Sequence, residues 1–83
     1  MKLKYFAWVR ERIGKSEETI EPPESVRTIE DLIAWLTQCG ETYAYAFDKP
    51  KVIRAAIDQV HVKADALIAG AREIAFFPPM TGG

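Results

Sequence analysis

The chain has 83 residues, the size of one domain, and its twelve acidic and eleven basic residues give a net charge of −1. A domain without a cationic excess is not expected to bind nucleic acid. One cysteine excludes an internal disulfide, and apolar runs of only a handful of residues exclude a spanning helix. With no apolar leader visible at the N-terminus, the sequence predicts a soluble, cytoplasmic, single-domain protein without membrane contact.

The first part of the chain predicts two paired strands. Residues 2–7 alternate in polarity, which predicts a strand with Leu3 and Tyr5 turned inward and Phe6 turned outward. A single helical turn over residues 8–13 is expected to end at Gly14. Residues 17–21 alternate again and predict a second strand that forms a hairpin with the first. Pro22 ends it because proline has no N–H to donate.

The clearest helix pattern follows. Thr28 is a good N-cap, and Asp31 three residues later resembles a capping box. The apolar residues of this segment share one helical face: Ile29, Leu32, Ile33 and Leu36. Gly40 is expected to end the helix in the left-handed conformation, and residues 41–47 predict a short second helix.

The remainder predicts strands at 52–57, 59–62 and 72–77, with a turn at Asp58-Gln59. Strands on both sides of one main helix predict an α+β fold, in which that helix packs on one face of a mixed sheet. We expect a domain at residues 1–77 and a flexible, extended tail at residues 78–83, because two successive prolines favour extended backbone.

No self-contained catalytic centre is visible in the sequence. The single histidine, His61, falls on the polar face of a predicted strand, and Cys39 is expected to be a small, semi-buried residue near the end of the helix. Neither has a partner at a spacing that suits a nucleophile–base pair or a metal site. The residues therefore predict no metal site and give no support to an independent enzyme.

The C-terminal tail carries the most distinctive pattern. After Phe77 the chain continues P-P-M-T-G-G, without a charged side chain. Glycine has no side chain to obstruct a narrow channel, so the terminal carboxylate of Gly83 is sterically open. This pattern is typical of a reactive group carried on a stalk.

Two motifs make a family resemblance specific. The segment Glu73–Gly83 (E-I-A-F-F-P-P-M-T-G-G) resembles the C-terminus of the small subunits of molybdopterin synthase, the MoaD-type sulfur carriers of the ubiquitin-like MoaD/ThiS family. Residues 6–14 resemble the family's F-A-x-V-R-E-x-x-G pattern. The chain departs from the family at residues 70–73, where Gly-Asp-Glu is common, and at Asp58, where Asn is common. The resemblance implies a β-grasp fold with a C-terminal Gly-Gly tail.

The resemblance also implies a function in molybdenum cofactor biosynthesis. A ubiquitin-activating-type adenylyltransferase would use ATP to adenylate Gly83, and a sulfur donor protein would convert it into a thiocarboxylate. The sulfur would pass to cyclic pyranopterin monophosphate, forming the dithiolene of molybdopterin. The chain itself would bind no cofactor. The catalytic groups are expected on the large subunit, in a heterotetramer of two small and two large subunits.

The resemblance and the strand pattern together nominate site residues. Gly83 is the reacting residue. The tail residues expected to enter the partner's pocket are Pro79, Met80, Thr81 and Gly82. Because the first and last strands are neighbours in a β-grasp sheet, outward aromatic and small side chains on them would form one docking face. The expected partner interface comprises Phe6, Arg10, Ala75 and Phe77.

Two other functions stay open at this point. The chain could carry sulfur for thiazole synthesis or for tRNA thiolation, since those carriers share the fold and the Gly-Gly end. It could also be a β-grasp interaction module whose terminus is never activated. In the last case, removal of Gly83 would have no effect on function.

Overall fold

The computed structural model describes residues 1–79. The strands are β1 (Lys2–Tyr5), β2 (Glu17–Thr19), β3 (Arg54–Ile57), β4 (Val60–Val62) and β5 (Glu73–Phe77). The helices are α1 (Ala7–Ile13), α2 (Ile29–Thr37) and α3 (Glu41–Ala46), and a 3-10 turn spans Pro50–Val52. None of these helices is long and apolar enough to cross a membrane. The predicted boundary between domain and tail stays a prediction, since residues 80–83 lie outside the described part.

The five strands form one mixed sheet in the order β2-β1-β5-β3-β4. The first and last strands pair in parallel at its centre, with Leu3 opposite Ile74 and Tyr5 opposite Phe76. The other three pairings are antiparallel. The predicted α+β class and the β-grasp arrangement are confirmed.

The core fills the space between one sheet face and the helices. All three helices contribute to it, so the single turn expected over residues 8–13 is a seven-residue helix that buries Val9 and Ile13. The ring of Phe76 lies at the centre, 6.4 Å from that of Tyr5 and 5.4 Å from that of Phe47 between centroids. The strand residues predicted to turn inward, Leu3 and Tyr5, are buried.

The first strand is shorter than its alternation predicted. It ends at Tyr5, and Phe6 is the N-cap of α1 with extended backbone (φ −125°, ψ 154°). Ala7 then adopts φ 52°, in the left-handed region, and the chain turns into the helix. The strand prediction for residues 6 and 7 was wrong because the apolar pair Val9 and Ile13, four residues apart, packs as a helical stripe. Gly14 ends α1 at φ 91°, as predicted.

Helix α2 begins as predicted and ends differently. The capping box is complete: Asp31 N–H donates to Thr28 Oγ1 (3.1 Å), and Thr28 N–H donates to Asp31 Oδ2 (3.3 Å). The helix ends at Thr37 with Gln38 as its C-cap in right-handed helical geometry. Gly40 was therefore wrongly placed as the C-terminal left-handed residue. It has extended backbone (φ 160°) and precedes α3 as its N-cap.

The hairpin of β3 and β4 is also shorter than predicted. The 3-10 turn at Pro50–Val52 delays β3 to Arg54, and Gln59 lies in the turn. Asp58 and Gln59 have φ 48° and 72°, the left-handed pair of a two-residue hairpin loop. The Asp58 carboxylate accepts hydrogen bonds from the backbone N–H groups of Arg72 (3.0 Å) and Glu73 (2.9 Å). One side chain thus ties the hairpin to the start of β5.

We expect Asp58→Ala to lower the free energy of unfolding by about 2 kcal/mol, because two backbone donors lose their acceptor and alanine is strained at this φ. Asp58→Asn keeps an acceptor and tolerates the left-handed region, so its change should stay within about 0.5 kcal/mol. Urea unfolding of both variants measures the difference. Equal stability of the two variants would contradict this role for the side chain.

A polar cluster links β2 to the core and α3. The hydroxyls of Tyr5 and Tyr43 each donate to Glu18 Oε2 at 2.6 Å, and Lys15 Nζ lies 3.4 Å from Oε1. Burial acts to raise the pKa of Glu18, but the hydrogen bonds from Tyr43 and Tyr5 and the Lys15 charge outweigh it and lower that pKa. Burial and then the hydrogen bond to Glu18 raise the pKa of Tyr5 far above its ordinary value. The cluster is therefore held in its ionised-carboxylate form.

The lowered pKa of Glu18 predicts an acid-sensitive contribution to stability. A carboxylate with a lowered pKa in the folded state stabilises the fold above its unfolded pKa, and this stabilisation is lost as the pH falls through the folded value. We therefore expect the melting temperature of Glu18→Gln to fall less than that of the wild type between neutral pH and about pH 3. Thermal unfolding across this range is the measurement, with exposed Glu24→Gln as the matched control. Parallel pH curves for the wild type and Glu18→Gln would refute it.

Candidate functional site

The sheet face away from the helices is the candidate docking surface. Along β5, Ile74 and Phe76 are buried in the core, while Ala75 and Phe77 alternate with them and lie on the opposite face. The strand registers bring further residues to the same face. This outer sheet face comprises Lys2, Lys4, Arg54, Ala56, His61, Glu73, Ala75 and Phe77.

The outer sheet face has an apolar centre and a charged surround. Ala56 and Ala75 are opposite each other in the β3–β5 register, and Ala56 is only 6% exposed although it belongs to this face. The ring of Phe77 packs beside that of His61 with centroids 5.2 Å apart. Lys4 Nζ and Glu73 Oε1 form an ion pair of 3.3 Å nearby. A flat apolar centre within a polar rim is the usual layout of a protein interface.

Phe6 extends this face beyond the end of β1. Its backbone N–H donates to Phe76 O at 3.1 Å, which continues the parallel register of Tyr5 with Phe76 by one residue. Phe6 therefore lies beside Phe77. The side chain is 45% exposed, unusual for a phenylalanine in a small domain. Arg10 is exposed on α1, one turn further along. The structure thus brings Phe6, Ala75 and Phe77 to one region, and their role as a partner interface stays a prediction.

Six of the eight residues of the outer sheet face were not predicted as part of the partner interface: Lys2, Lys4, Arg54, Ala56, His61 and Glu73. His61 was expected only to lie on a polar strand face. It is exposed there, but the register of β4 on β3 also sets it opposite Ala56 and close to Phe77. Residues 54–57 read R-A-A-I, so their polarity does not distinguish the outward Ala56 from the inward Ala55. The antiparallel order of β5, β3 and β4 was needed to assign Ala56 to this face.

The tail leaves the sheet next to a surface concavity. Pro78 and Pro79 follow β5 and are half-buried. Pro79 lines a concavity of about 380 Å³, whose other lining residues are Trp8, Arg12, Asp48, Lys49 and Val52. Gly83, predicted to be the reacting residue, and the predicted tail residues Met80, Thr81 and Gly82 lie outside the described residues.

Residues 1–79 contain no cluster of His, Cys, Asp and Glu side chains that could hold a metal ion. Cys39 is exposed, not semi-buried as expected, because α2 ends two residues before it. Its thiol lies 3.4 Å from the Trp35 carbonyl oxygen.

The exposed Phe6 and the half-buried Phe77 should matter little for folding. We expect Phe6→Ala and Phe77→Ala each to lower the free energy of unfolding by about 1 kcal/mol or less, since neither belongs to the buried core. Phe76→Ala, one position away and fully buried, should cost about 3–5 kcal/mol. Chemical denaturation of the three variants gives the comparison. A loss at Phe6 or Phe77 as large as that at Phe76 would identify them as structural residues.

Comparison with known proteins places the fold and the family. The fold matches the crystal structure of SAMP1 from Haloferax volcanii with a TM-score of 0.71 and 21% identity, over 100% of this chain and 98% of that chain. The architecture, with its parallel first and last strands, therefore defines a ubiquitin-like β-grasp domain. The model of the ThiS family matches residues 3–83. The chain belongs to the ThiS family.

Two relatives share most of the sequence. The molybdopterin synthase sulfur carrier subunit of Haemophilus influenzae is 37% identical over 79 residues, covering 95% of this chain and 94% of that protein. The molybdopterin synthase sulfur carrier subunit of Escherichia coli is 34% identical over 83 residues, covering 100% and 99%. The similarity includes the domain and the segment after Phe77, and it agrees with the resemblance drawn from the two terminal motifs.

Proposed function

We propose that this chain is the sulfur carrier subunit of a molybdopterin synthase. The observation that carries the proposal is the similarity, over almost the whole of both chains, to two proteins named as that subunit. In this proposal the chain carries sulfur on Gly83.

The loading reaction has two steps. A carboxylate is a poor electrophile, so an adenylating partner first joins the Gly83 carboxylate to AMP from ATP and releases pyrophosphate. Hydrosulfide (HS⁻) supplied by a sulfur donor protein then attacks the acyl carbon and loses its proton to water. AMP leaves with one of the former carboxylate oxygens, and a thiocarboxylate remains on Gly83. ATP is thus a substrate of the adenylating partner and is not held by this chain.

The delivery reaction belongs to the large subunit of the synthase. The tail enters its active site, and the thiocarboxylate sulfur passes to cyclic pyranopterin monophosphate. Two deliveries form the dithiolene of molybdopterin. We propose a heterotetramer of two small and two large subunits, in which the tail residues Pro79, Met80, Thr81 and Gly82 enter the pocket of the large subunit. The slim, uncharged character of these residues suits passage through two active sites in turn.

The outer sheet face supports a function in which this chain carries the sulfur and the large subunit performs the delivery reaction. Strand β5 carries Ala75 and Phe77 on that face and leads directly into the tail. Six residues follow Phe77, and an extended chain of that length reaches about 20 Å. A large subunit bound over Phe6, Ala75 and Phe77 therefore has its active site within reach of Gly83. Arg10 adds a cationic group on the helix that follows Phe6.

Intact-mass spectrometry tests the loading step. We expect the chain, after incubation with ATP, an adenylating partner and a sulfur donor, to gain the mass of one oxygen-to-sulfur exchange. A variant that lacks Gly83 should show no gain and should keep the melting temperature of the wild type. If an adenylating partner that is active on another carrier leaves the mass unchanged, the chain is a binding module whose terminus is not activated.

The client is tested with the loaded chain. Thiocarboxylated protein mixed with the large subunit and cyclic pyranopterin monophosphate should form molybdopterin, which chromatography of the reaction detects. Loading without transfer to this substrate would instead indicate that the chain carries sulfur for thiazole synthesis or tRNA thiolation. These alternatives share the loading chemistry and differ only in the acceptor.

A further inference from the structure

Arg12 lies between two aromatic rings on the surface of the domain. Its guanidinium carbon is 4.4 Å from the centroid of the Trp8 ring and 4.4 Å from that of Tyr45. Trp8 precedes Arg12 by one turn of α1, while Tyr45 comes from α3. Two rings on one guanidinium hold the long arginine side chain in a defined position through cation–π attraction.

Most N–H donors of the Arg12 guanidinium have no hydrogen-bond acceptor within residues 1–79. Arginine has five N–H donors in one plane. Within residues 1–79, the Arg12 side chain makes one hydrogen bond, a long one of 3.4 Å from Nη1 to the carbonyl oxygen of Tyr45. Asp48 Oδ1 lies 3.7 Å from Nη1, which is an ion pair beyond hydrogen-bond distance, and the Asp48 side chain is half exposed. The positioned guanidinium therefore retains in-plane donors for a carboxylate, which it can bind with two parallel hydrogen bonds.

The stack is not required to hold α1 and α3 together. Val9 and Ile13 of α1, with Ala46 and Phe47 at the end of α3, form that part of the buried core. Tyr45 is 58% exposed and is not part of that core. Exposed cation–π pairs contribute only about 0.5–1 kcal/mol. Trp, Tyr and Arg are also the residues most enriched at the energetic centres of protein interfaces.

The position of Arg12 brings it within reach of a protein that holds the tail. Arg12 and Trp8 line the same concavity as Pro79, together with Asp48 and Lys49, so two cationic side chains and one carboxylate surround it. Only four residues separate Pro79 from the reacting end of the chain, an extended distance of at most about 14 Å. An enzyme that holds Gly83 in its active site must therefore have surface near this concavity. The concavity is also close to the outer sheet face, because Trp8 follows Phe6 by two residues.

We propose that Arg12, held between Trp8 and Tyr45, is a docking site for an aspartate or glutamate side chain of the large synthase subunit. The inference rests on the function proposed above and extends the expected interface from the outer sheet face to the concavity beside Pro79. The incoming carboxylate replaces Asp48 as the partner of the guanidinium. Lys49 adds attraction, and the concavity beside Trp8 and Val52 receives the apolar part of the incoming loop.

Calorimetric titration of the intact chain with the large subunit tests this site. We expect Arg12→Gln to weaken binding by at least about tenfold, with a shallower dependence of affinity on salt. Arg12→Lys, which keeps the charge and loses the planar stack, should also weaken binding. Arg27→Gln, at an exposed position before α2, is the matched control and should stay within about twofold of the wild type. Thermal unfolding of each variant establishes that the fold is retained.

The variant Phe77→Asp shows whether a negative result contradicts only the Arg12 site or also the proposed function. If Phe77→Asp weakens binding and Arg12→Gln binds like the wild type, the carboxylate site is overturned and the proposed function stands. If the wild-type chain does not bind the large subunit, both are overturned. Arg12-dependent self-association, measured by sedimentation of the chain alone, would assign the site to a second copy and overturn the assignment to the large subunit.

Discussion

The parallel pairing of β1 with β5 is the constraint on which the rest of the structure depends. These two strands come from opposite ends of the chain and form the middle of the sheet. Their inward residues Tyr5 and Phe76 lie opposite each other and stack, so the centre of the core combines both chain ends. Neither strand could occupy the middle of the sheet alone, because the backbone N–H and C=O groups of such a strand need a hydrogen-bonded neighbour on each edge. The fold therefore closes only when the last strand has joined the first.

This pairing also positions the functional parts. Alternation along β5 assigns Ile74 and Phe76 to the core and leaves Ala75 and Phe77 for the outer sheet face. Phe6 adjoins Phe77 because the register continues one residue past β1, after which the left-handed turn at Ala7 directs α1 toward the other side of the sheet. The same strand that completes the core thus carries the candidate docking surface and leads into the tail. The core and the proposed interface lie on opposite faces of β5.

Local signals predicted many of the elements and fewer of their boundaries. The Thr28–Asp31 capping box, the apolar stripe of α2 and the glycine end of α1 are decided within a few residues, so the sequence indicated them correctly. Gly40 was misjudged because α2 stops at Thr37 and α3 needs an extended residue before it. The strand that was expected to begin at residue 52 begins at Arg54, since the 3-10 turn at Pro50 comes first.

The sequence was sufficient to establish the family resemblance and the α+β class, because these depend on short motifs and on composition. Only the tertiary structure assembled the outer sheet face, where Ala56 and His61 meet Phe77 through strand registers that span the chain. The same holds for Arg12, whose second aromatic neighbour, Tyr45, is 33 residues away in sequence. Periodicity reports which side of an element a residue occupies. Which elements become neighbours is decided by how the whole chain buries its apolar surface, and no local pattern contains that information.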